Sequence, residues 1–466
     1  MPMRIAMGAA FTVSGERVQF AEGPCPWYPT GVVPRTKILA TLGPATGSEE
    51  AIRTLVDAGA SAFRLNFSHG TREEHAARVA AIRRVAGGRP LAIVQDLAGP
   101  KLRLDRPVRG QPGDVVELNL PASVRPGDPV LLADGLMQLE VVRPGRARVV
   151  VGGELPAGKG INLPSSRLDD VPALTQKDRE DLRLGVELGV DYVALSFVRK
   201  AADLSEVKAA GVPVIAKFEK AEAVAHLDEI VEAADAIMVA RGDLGVEIPI
   251  ERVPMVQKTL IAAANLLGRP VITATQMLRS MVDSPLPTRA EATDVANAVL
   301  DGTDAVMLSE ETAVGAYPAA AVRMMGRIAA EAERVLRPRL DPVPEPIGFA
   351  DHVSRAACEL AEQVGAQAIA VPTRTGTTAR LVARHRPRAP VLAFSADEAV
   401  RRRLALVWGV TAWARPSLEP VDAVLSELRD AIRATGVVEP GGPVVLIGGW
   451  PFGSGSVANF VHVTTL

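Results

Sequence analysis

The sequence predicts an α/β protein. Its core is a (β/α)8 barrel, interrupted after the third strand by a small all-β insertion and followed by a second α/β domain. Three observations carry this reading. From residue 36 short apolar runs alternate with segments of helical spacing. The alternation stops between residue 105 and about 171, in a stretch rich in Pro, Gly and Val. Nearly every apolar run also ends on polar or charged residues, as strands of a TIM barrel do at the face that carries chemistry. A doubly wound open sheet is the rival arrangement, and the clustering of polar residues at the strand ends argues against it.

In chain order, Thr36–Leu42, Ser61–Phe67 and Leu91–Leu97 are the first three strands, separated by helices over Glu49–Ala58 and Arg72–Val85. The insertion carries turn signals at Pro112-Gly113-Asp114, Pro126-Gly127-Asp128, Asp134-Gly135 and Pro144-Gly145. Short β-type runs lie between them at Val115–Leu120, Leu139–Val142 and Ala147–Val151. Five further strands follow at Asp191–Val198, Val214–Glu219, Ala236–Arg241, Pro270–Gln276 and Ala305–Glu310, making eight. A Pro-rich break at Leu340–Pro346 precedes helices over Val353–Val364, Thr377–His385 and Asp397–Val407. The strands of that last domain are Ala368–Val371, Val391–Phe394, Val410–Ala414, Val444–Ile447 and Val461–Thr464. The expected division is therefore a barrel over 35–104 and 172–341, an insertion over 105–171 and a last domain over 342–466. Residues 1–34 match none of these patterns and are assigned no role.

Composition bounds the function. With 466 residues the chain exceeds one ordinary core. A net charge of −2 gives no hint of a nucleic-acid or membrane-surface partner. The two cysteines, Cys25 and Cys358, lie far apart, which fits a reducing compartment with no disulfide framework. No apolar run reaches the roughly 18 residues of a membrane span, and the first residues lack the pattern of a signal peptide. A cytoplasmic protein is expected. Nine of 52 cations are lysine. Where arginine is the default, a lysine marks a need for a compact point charge. Lys101, Lys159 and Lys217 fall in glycine-rich or strand-end motifs, and the other six read as surface residues.

The strand ends carry the chemistry. Alternation along the second strand puts Arg64, Asn66 and Ser68 on one face and Leu65 and Phe67 on the other. The fifth strand ends in Lys217-Phe218-Glu219 and the sixth in Arg241-Gly242-Asp243-Leu244-Gly245, whose glycines let backbone N–H groups approach an anion. The seventh offers Thr273 and Thr275, and the eighth Ser309, Glu310 and Glu311. Two carboxylates, Glu219 and Asp243, with one lysine suit a hard divalent ion that takes few protein ligands. Together with arginine, hydroxyls and backbone donors they make a site for a small phosphorylated acid.

Six motifs resemble the pyruvate kinase family: Asn66-Phe67-Ser68-His69-Gly70, Lys217-Phe218-Glu219, Met238–Gly245, Ala274–Leu278, Pro287–Glu291 and Asp294–Val299. The resemblance covers about residues 35–466. It implies a barrel, an inserted β-barrel lid and a C-terminal regulatory domain. It also implies phosphoryl transfer from phosphoenolpyruvate to ADP in the last step of glycolysis, by a homotetramer. Glu219 and Asp243 would hold Mg2+, with Mn2+ an alternative. Lys217 would stabilise the transferring phosphoryl group, and Thr275 would relay a proton to the enolate carbon. Gly242 and Asp243 would hold the substrate carboxylate and Arg64 the phosphate. Ser309 and Glu311 would complete the substrate site. Arg35, His69 and Lys159 would lie on the nucleotide side. In the last domain, Thr373-Arg374-Thr375-Gly376-Thr377-Thr378 resembles the family's effector loop, taking a sugar phosphate or nucleotide monophosphate. Gly449–Gly455 resembles the loop that closes over it.

Two departures stand out. Many members require potassium and carry Asp-Thr-Lys-Gly-Pro-Glu at the third strand, where this chain reads Asp96-Leu97-Ala98-Gly99-Pro100-Lys101. It resembles the branch that carries this lysine and does not require potassium. Lys101 is therefore expected at the monovalent-cation position among Asn66, Ser68 and Asp96. Glu310 replaces a glycine common in the eighth-strand motif. Two other functions remain open at this point. A metal-dependent lyase or aldolase would share the barrel without needing Lys159 or ADP. A silent sugar-phosphate sensor would not need Lys217, Glu219, Asp243 and Thr275 intact.

Overall fold

Eight short runs of apolar residues close into a parallel barrel in the computed structural model, which describes residues 34–133, 135–164, 166, 171–340, 348–414, 424–450 and 457–466. The strands are β1 (Lys37–Leu42), β2 (Ala62–Asn66), β3 (Ala92–Asp96) and β4 (Tyr192–Leu195), then β5 (Val214–Phe218), β6 (Ala236–Ala240), β7 (Val271–Ala274) and β8 (Ala305–Leu308). Each pairs with its neighbours in sequence order, and Lys37 opposite Ala305 joins β1 to β8. The closed barrel excludes the open-sheet rival. The expected N-terminal extension and most of the Pro-rich break fall outside the described residues.

The two-residue period of a strand decides which side chains face the chemistry. Leu39, Ala62, Val94, Ala194, Ile215, Met238 and Ile272 pack together inside the barrel. Ile38, Phe63, Ile93, Leu195, Ala216, Phe218 and Val239 pack outward against the surrounding helices. The inward rows, continued toward the carboxyl ends, are Thr41, Arg64, Asp96, Ser196, Lys217 and Glu219. The helices start on strong signals: Thr71, Thr175 and Thr288 each cap one, with Glu74, Asp178 and Glu291 completing the capping boxes. The Pro287–Glu291 motif is thus a helix start, and Glu291 also holds the Ser280 amide at 2.7 Å.

Between β3 and β4 the chain forms a five-stranded antiparallel sheet and a two-stranded one (Val108–Gly110 with Gly153–Leu155). Both contribute to one core that includes Leu104, Val130, Leu139, Val149 and Ile161. The last segment builds β9 (Ala368–Pro372), β10 (Val391–Ser395), β11 (Val410–Ala414), β12 (Pro443–Gly448) and β13 (Phe460–Thr465), ordered β11-β10-β9-β12-β13. Only the β12–β13 pairing is antiparallel.

This sheet's connections close the amino-terminal mouth of the barrel. Ala405 and Leu406 join the cluster of inward barrel residues. Asp304, one residue before β8, accepts from Arg386 and from the Trp408 amide, each at 3.1 Å. Arg35 belongs here as well. Its guanidinium donates to the carbonyls of Pro387 and Arg388 and lies 5.5 Å from the Trp408 ring. The expectation that it contacts nucleotide is corrected: Arg35 precedes β1, at the end of the barrel opposite the carboxyl ends. No helix among the described residues is long and apolar enough to cross a membrane.

Candidate active site

Asp96 anchors the site. It is 1% exposed, with Oδ2 accepting from Arg64 Nε at 2.6 Å and Oδ1 from Lys217 Nζ at 3.0 Å. The Lys217 ammonium also meets Ser196 Oγ at 2.7 Å and Glu219 Oε1 at 2.9 Å. Burial alone would raise the Asp96 pKa, but Arg64 and Lys217 outweigh it and hold the carboxyl below its ordinary value. Burial likewise disfavours the Lys217 charge, and Asp96 and Glu219 outweigh it, so the pKa is raised. Lys217 is thus held as an ammonium, fit for electrostatic work and unfit to be a base.

Glu219 directly follows β5, within electrostatic reach of Asp243. Its carboxyl is pushed up by burial and by the Asp243 charge, with Lys217 opposing. A carboxyl pushed up by burial and by a neighbouring carboxylate marks a place where a cation relieves repulsion. Among the described residues no group of three or more His, Cys, Asp or Glu side chains gathers to hold a metal. The donor set is two hard oxygen ligands, which fits a divalent ion such as Mg2+ that keeps water and takes phosphate oxygens.

Three non-glycine residues here adopt positive φ: Phe197 (+57°), Thr275 (+79°) and Gln276 (+55°). Such strain persists only where the surroundings over-determine it. Phe197 is held by its amide, which donates to Glu219 Oε2 at 2.8 Å. Thr275 is held by Arg241, whose guanidinium donates to the carbonyls of Ala274 (3.1 Å) and Thr275 (2.8 Å). Asp294 grips the same guanidinium with both oxygens, at 2.5 and 2.7 Å. Gly242 and Asp243 lie in the first turn of helix Arg241–Glu247, where amides have no intrahelical partner.

The remaining expected residues fall in several places. Asn66 Oδ1 accepts the Ser68 amide at 3.1 Å, and Ser68 and His69 are exposed in the turn after β2. Lys159 is exposed beside Arg103 on an open cleft of about 490 Å³ that reaches Lys101. Glu311 needs correction as a substrate ligand. It is 1% exposed, and its oxygens accept the amides of Leu278 (3.0 Å) and Ser309 (2.7 Å), so it ties the β7 and β8 loops together. Lys101 is also displaced from its expected place. Both Asp96 oxygens are taken by Arg64 and Lys217, and the Lys101 ammonium lies on Asp243 Oδ1 at 2.9 Å. Glu310 pairs with Arg279 at 2.7 Å on the surface, where such a pair counts for little. Lys220, read as a surface lysine, is buried against Glu247 at 2.7 Å.

Sequence reasoning passed over Ser196, Arg241 and Arg103. Ser196 directly follows β4, a strand end from which no side chain is taken, and its polar character beside an apolar run is the available signal. In the last segment Thr373 Oγ1 accepts the Gly376 amide at 2.9 Å, shaping the turn before helix Thr377–Ala383. Arg374 and Thr375 are exposed beside it. Of the expected closing loop, residues 451–455 lie outside the described residues.

A barrel whose carboxyl-terminal face gathers a buried ammonium, an arginine and two hard carboxylates is, in class, an electrostatically driven enzyme acting on a phosphorylated acid. The family model described as pyruvate kinase, barrel domain, matches residues 33–118 and 114–322, and that described as pyruvate kinase, alpha/beta domain, matches 351–464. The pyruvate kinase of Geobacillus stearothermophilus is 42% identical over 92% of this chain and 80% of its own length. That of Corynebacterium glutamicum is 43% identical over 93% and 98%, and pyruvate kinase 2 of Synechocystis is 47% identical over 81% and 70%. The chain belongs to the pyruvate kinase family, and is a phosphotransferase.

Proposed function

We propose that the chain transfers the phosphoryl group of phosphoenolpyruvate to ADP, giving pyruvate and ATP, with Mg2+ held by Glu219 and Asp243. The observation that carries this reading is the Lys217 ammonium, buried and fixed between Asp96 and Glu219 at 3.0 and 2.9 Å. In the reaction the bond from phosphorus to the enol oxygen breaks and a new one forms to the terminal ADP oxygen. Charge moves onto the enolate, and a preorganised ammonium stabilises it at no cost of reorganisation. A divalent ion held by Glu219 and Asp243 would supply further neutralisation of the developing negative charge.

The other residues position and protonate. Arg64 holds the phosphate, with Asp96 aligning its guanidinium, and the Gly242 and Asp243 amides hold the carboxylate. Thr275, fixed by the Arg241 clamp, delivers a proton through water to the enolate carbon. Lys159, Arg103 and His69 face the nucleotide. The β segment between β3 and β4 acts as a lid that excludes water. Ser309 orders the loop at the substrate's edge through Glu311.

Three finer features belong to the same proposal. The enzyme works without potassium, because Lys101 brings a tethered positive charge to the carboxylates. A sugar phosphate or nucleotide monophosphate binds at Thr373–Thr378, where hydroxyls and amides meet at a helix start. The working unit is a homotetramer. The test is to measure pyruvate and ATP together, with Mg2+, in tetramethylammonium and in potassium buffers of equal ionic strength. Equal amounts of both products support the kinase. A gain of more than about tenfold in potassium would remove the role given to Lys101. Pyruvate release without ADP would point to a lyase-like or phosphatase reaction.

A further inference from the structure

Lys101 reaches the site by an unusual route. Gly99, at φ +67°, turns the chain so tightly over Phe197 that a Cβ there would lie 2.9 Å from the ring. From the lid side, a Cβ on Gly160 would lie 3.2 Å from Lys101 Cε. The lysine stem thus runs between barrel loop and lid, its ammonium 5.9 Å from the Phe197 ring centroid. It ends on Asp243 Oδ1 at 2.9 Å, with the two side chains 29% and 27% exposed.

This placement closes the charge balance of the site. Three carboxylates (Asp96, Glu219 and Asp243) are met by three cations, Arg64, Lys217 and Lys101. Arg64 and Lys217 are locked on Asp96, which is 1% exposed. Lys101 is the most exposed of the three cations, at 29% against 13% for Arg64 and 8% for Lys217, on a flexible four-carbon stem, and it sits on a carboxylate assigned to the divalent ion.

We propose that Lys101 is an intrinsic stand-in for the divalent ion: it neutralises Asp243 in the ligand-free site and must leave that carboxylate for the ion to enter. The inference rests on the metal-site reading of Glu219 and Asp243. Its consequence is weak metal binding on its own. It also couples metal to substrate, because an incoming phosphate gives the displaced ammonium a new partner. Lys101 is then a positioning residue that makes the ion and the anion enter together.

The test is direct Mn2+ binding to the full chain, followed by electron paramagnetic resonance of the free ion, with no turnover involved. The expected result is that Lys101→Met binds Mn2+ about five- to tenfold more tightly than the wild type without phosphoenolpyruvate, as removal of one competing charge requires. Lys101→Arg should stay near the wild type. The tightening that phosphoenolpyruvate causes in the wild type should shrink in Lys101→Met. If methionine unfolds the chain, Lys101→Gln carries the same comparison. Equal Mn2+ affinity in the wild type and the neutral variant overturns the inference while leaving the metal site standing. Mn2+ binding unchanged by Asp243→Asn overturns both.

Discussion

Gly242 and Thr275 meet so closely that a Cβ on the glycine would lie 2.7 Å from Thr275 Cγ2. The first turn of helix Arg241–Glu247 and the end of β7 can approach this far only because one of them carries no side chain. Gly242→Ala should push the Thr275 side chain out of place and move its hydroxyl, lowering kcat about 100-fold. Thr275→Ser removes the clashing methyl and keeps the hydroxyl. The double variant should therefore recover part of the loss, measured as a double-mutant cycle on kcat.

Arg241 holds two carbonyls through Nε and Nη2, while Nη1 and Nη2 hold Asp294. A lysine cannot reproduce a bidentate grip and two carbonyl bonds at once. Arg241→Lys should let Thr275 and Gln276 relax from their left-handed conformations, lowering kcat about 10- to 100-fold with smaller change in Mn2+ affinity. An unchanged kcat would mean that the loop holds its shape without the clamp.

The floor of the barrel is a packing site. Leu406 is fully buried among the inward barrel residues. Leu406→Ala leaves a cavity there and should cost about 2 to 5 kcal/mol of stability, read from the urea midpoint. A loss near zero would show that the barrel interior closes without this plug.

His385 makes stability fall in mild acid. Burial, and then the nearby Arg384 and Arg355, push its pKa down to about 4, although the bond to the Arg339 carbonyl opposes them. Its Nδ1 donates to that carbonyl at 2.9 Å, and among the described residues the buried Nε2 has no partner that could receive a second proton. The folded value lies below the unfolded one of roughly 6.5, so the unfolded chain takes up the proton first as pH drops. Stability contributed by the neutral ring is whole above the unfolded value and is lost on going down through pH 6.5 toward 4. At pH 5 the loss relative to pH 7 should be about 2 kcal/mol. His385→Gln should flatten this part of the profile, checked by urea unfolding at both pH values.

Strand positions and the inward rows were legible because a two-residue period and a buried face leave little choice. Arg64, Asp96, Lys217 and Glu219 follow from it, whereas Asp243 lies in the helix that leaves β6 and was legible from its motif instead. What stayed hidden depends on where a flexible stem ends. Lys101 was expected at Asp96, but Arg64 and Lys217 already occupy both of its oxygens, a fact set by three strands in register. Arg35 was assigned to nucleotide, although a residue before β1 can reach only the opposite mouth. Glu311 looked like an open carboxylate, and its capture by two amides depends on loop geometry that no local pattern encodes. Lys220 follows the same logic, since its partner Glu247 lies 27 residues away.

The most direct test of the account is pyruvate formation from phosphoenolpyruvate with Mg2+ and ADP, by the wild type and by Lys217→Met. The expected result is turnover that requires ADP in the wild type and falls at least about 1000-fold in the variant, whose fold is checked by circular dichroism. A variant within about tenfold of the wild type would contradict the role assigned to the ammonium between Asp96 and Glu219. Turnover independent of ADP would contradict the phosphoryl transfer itself.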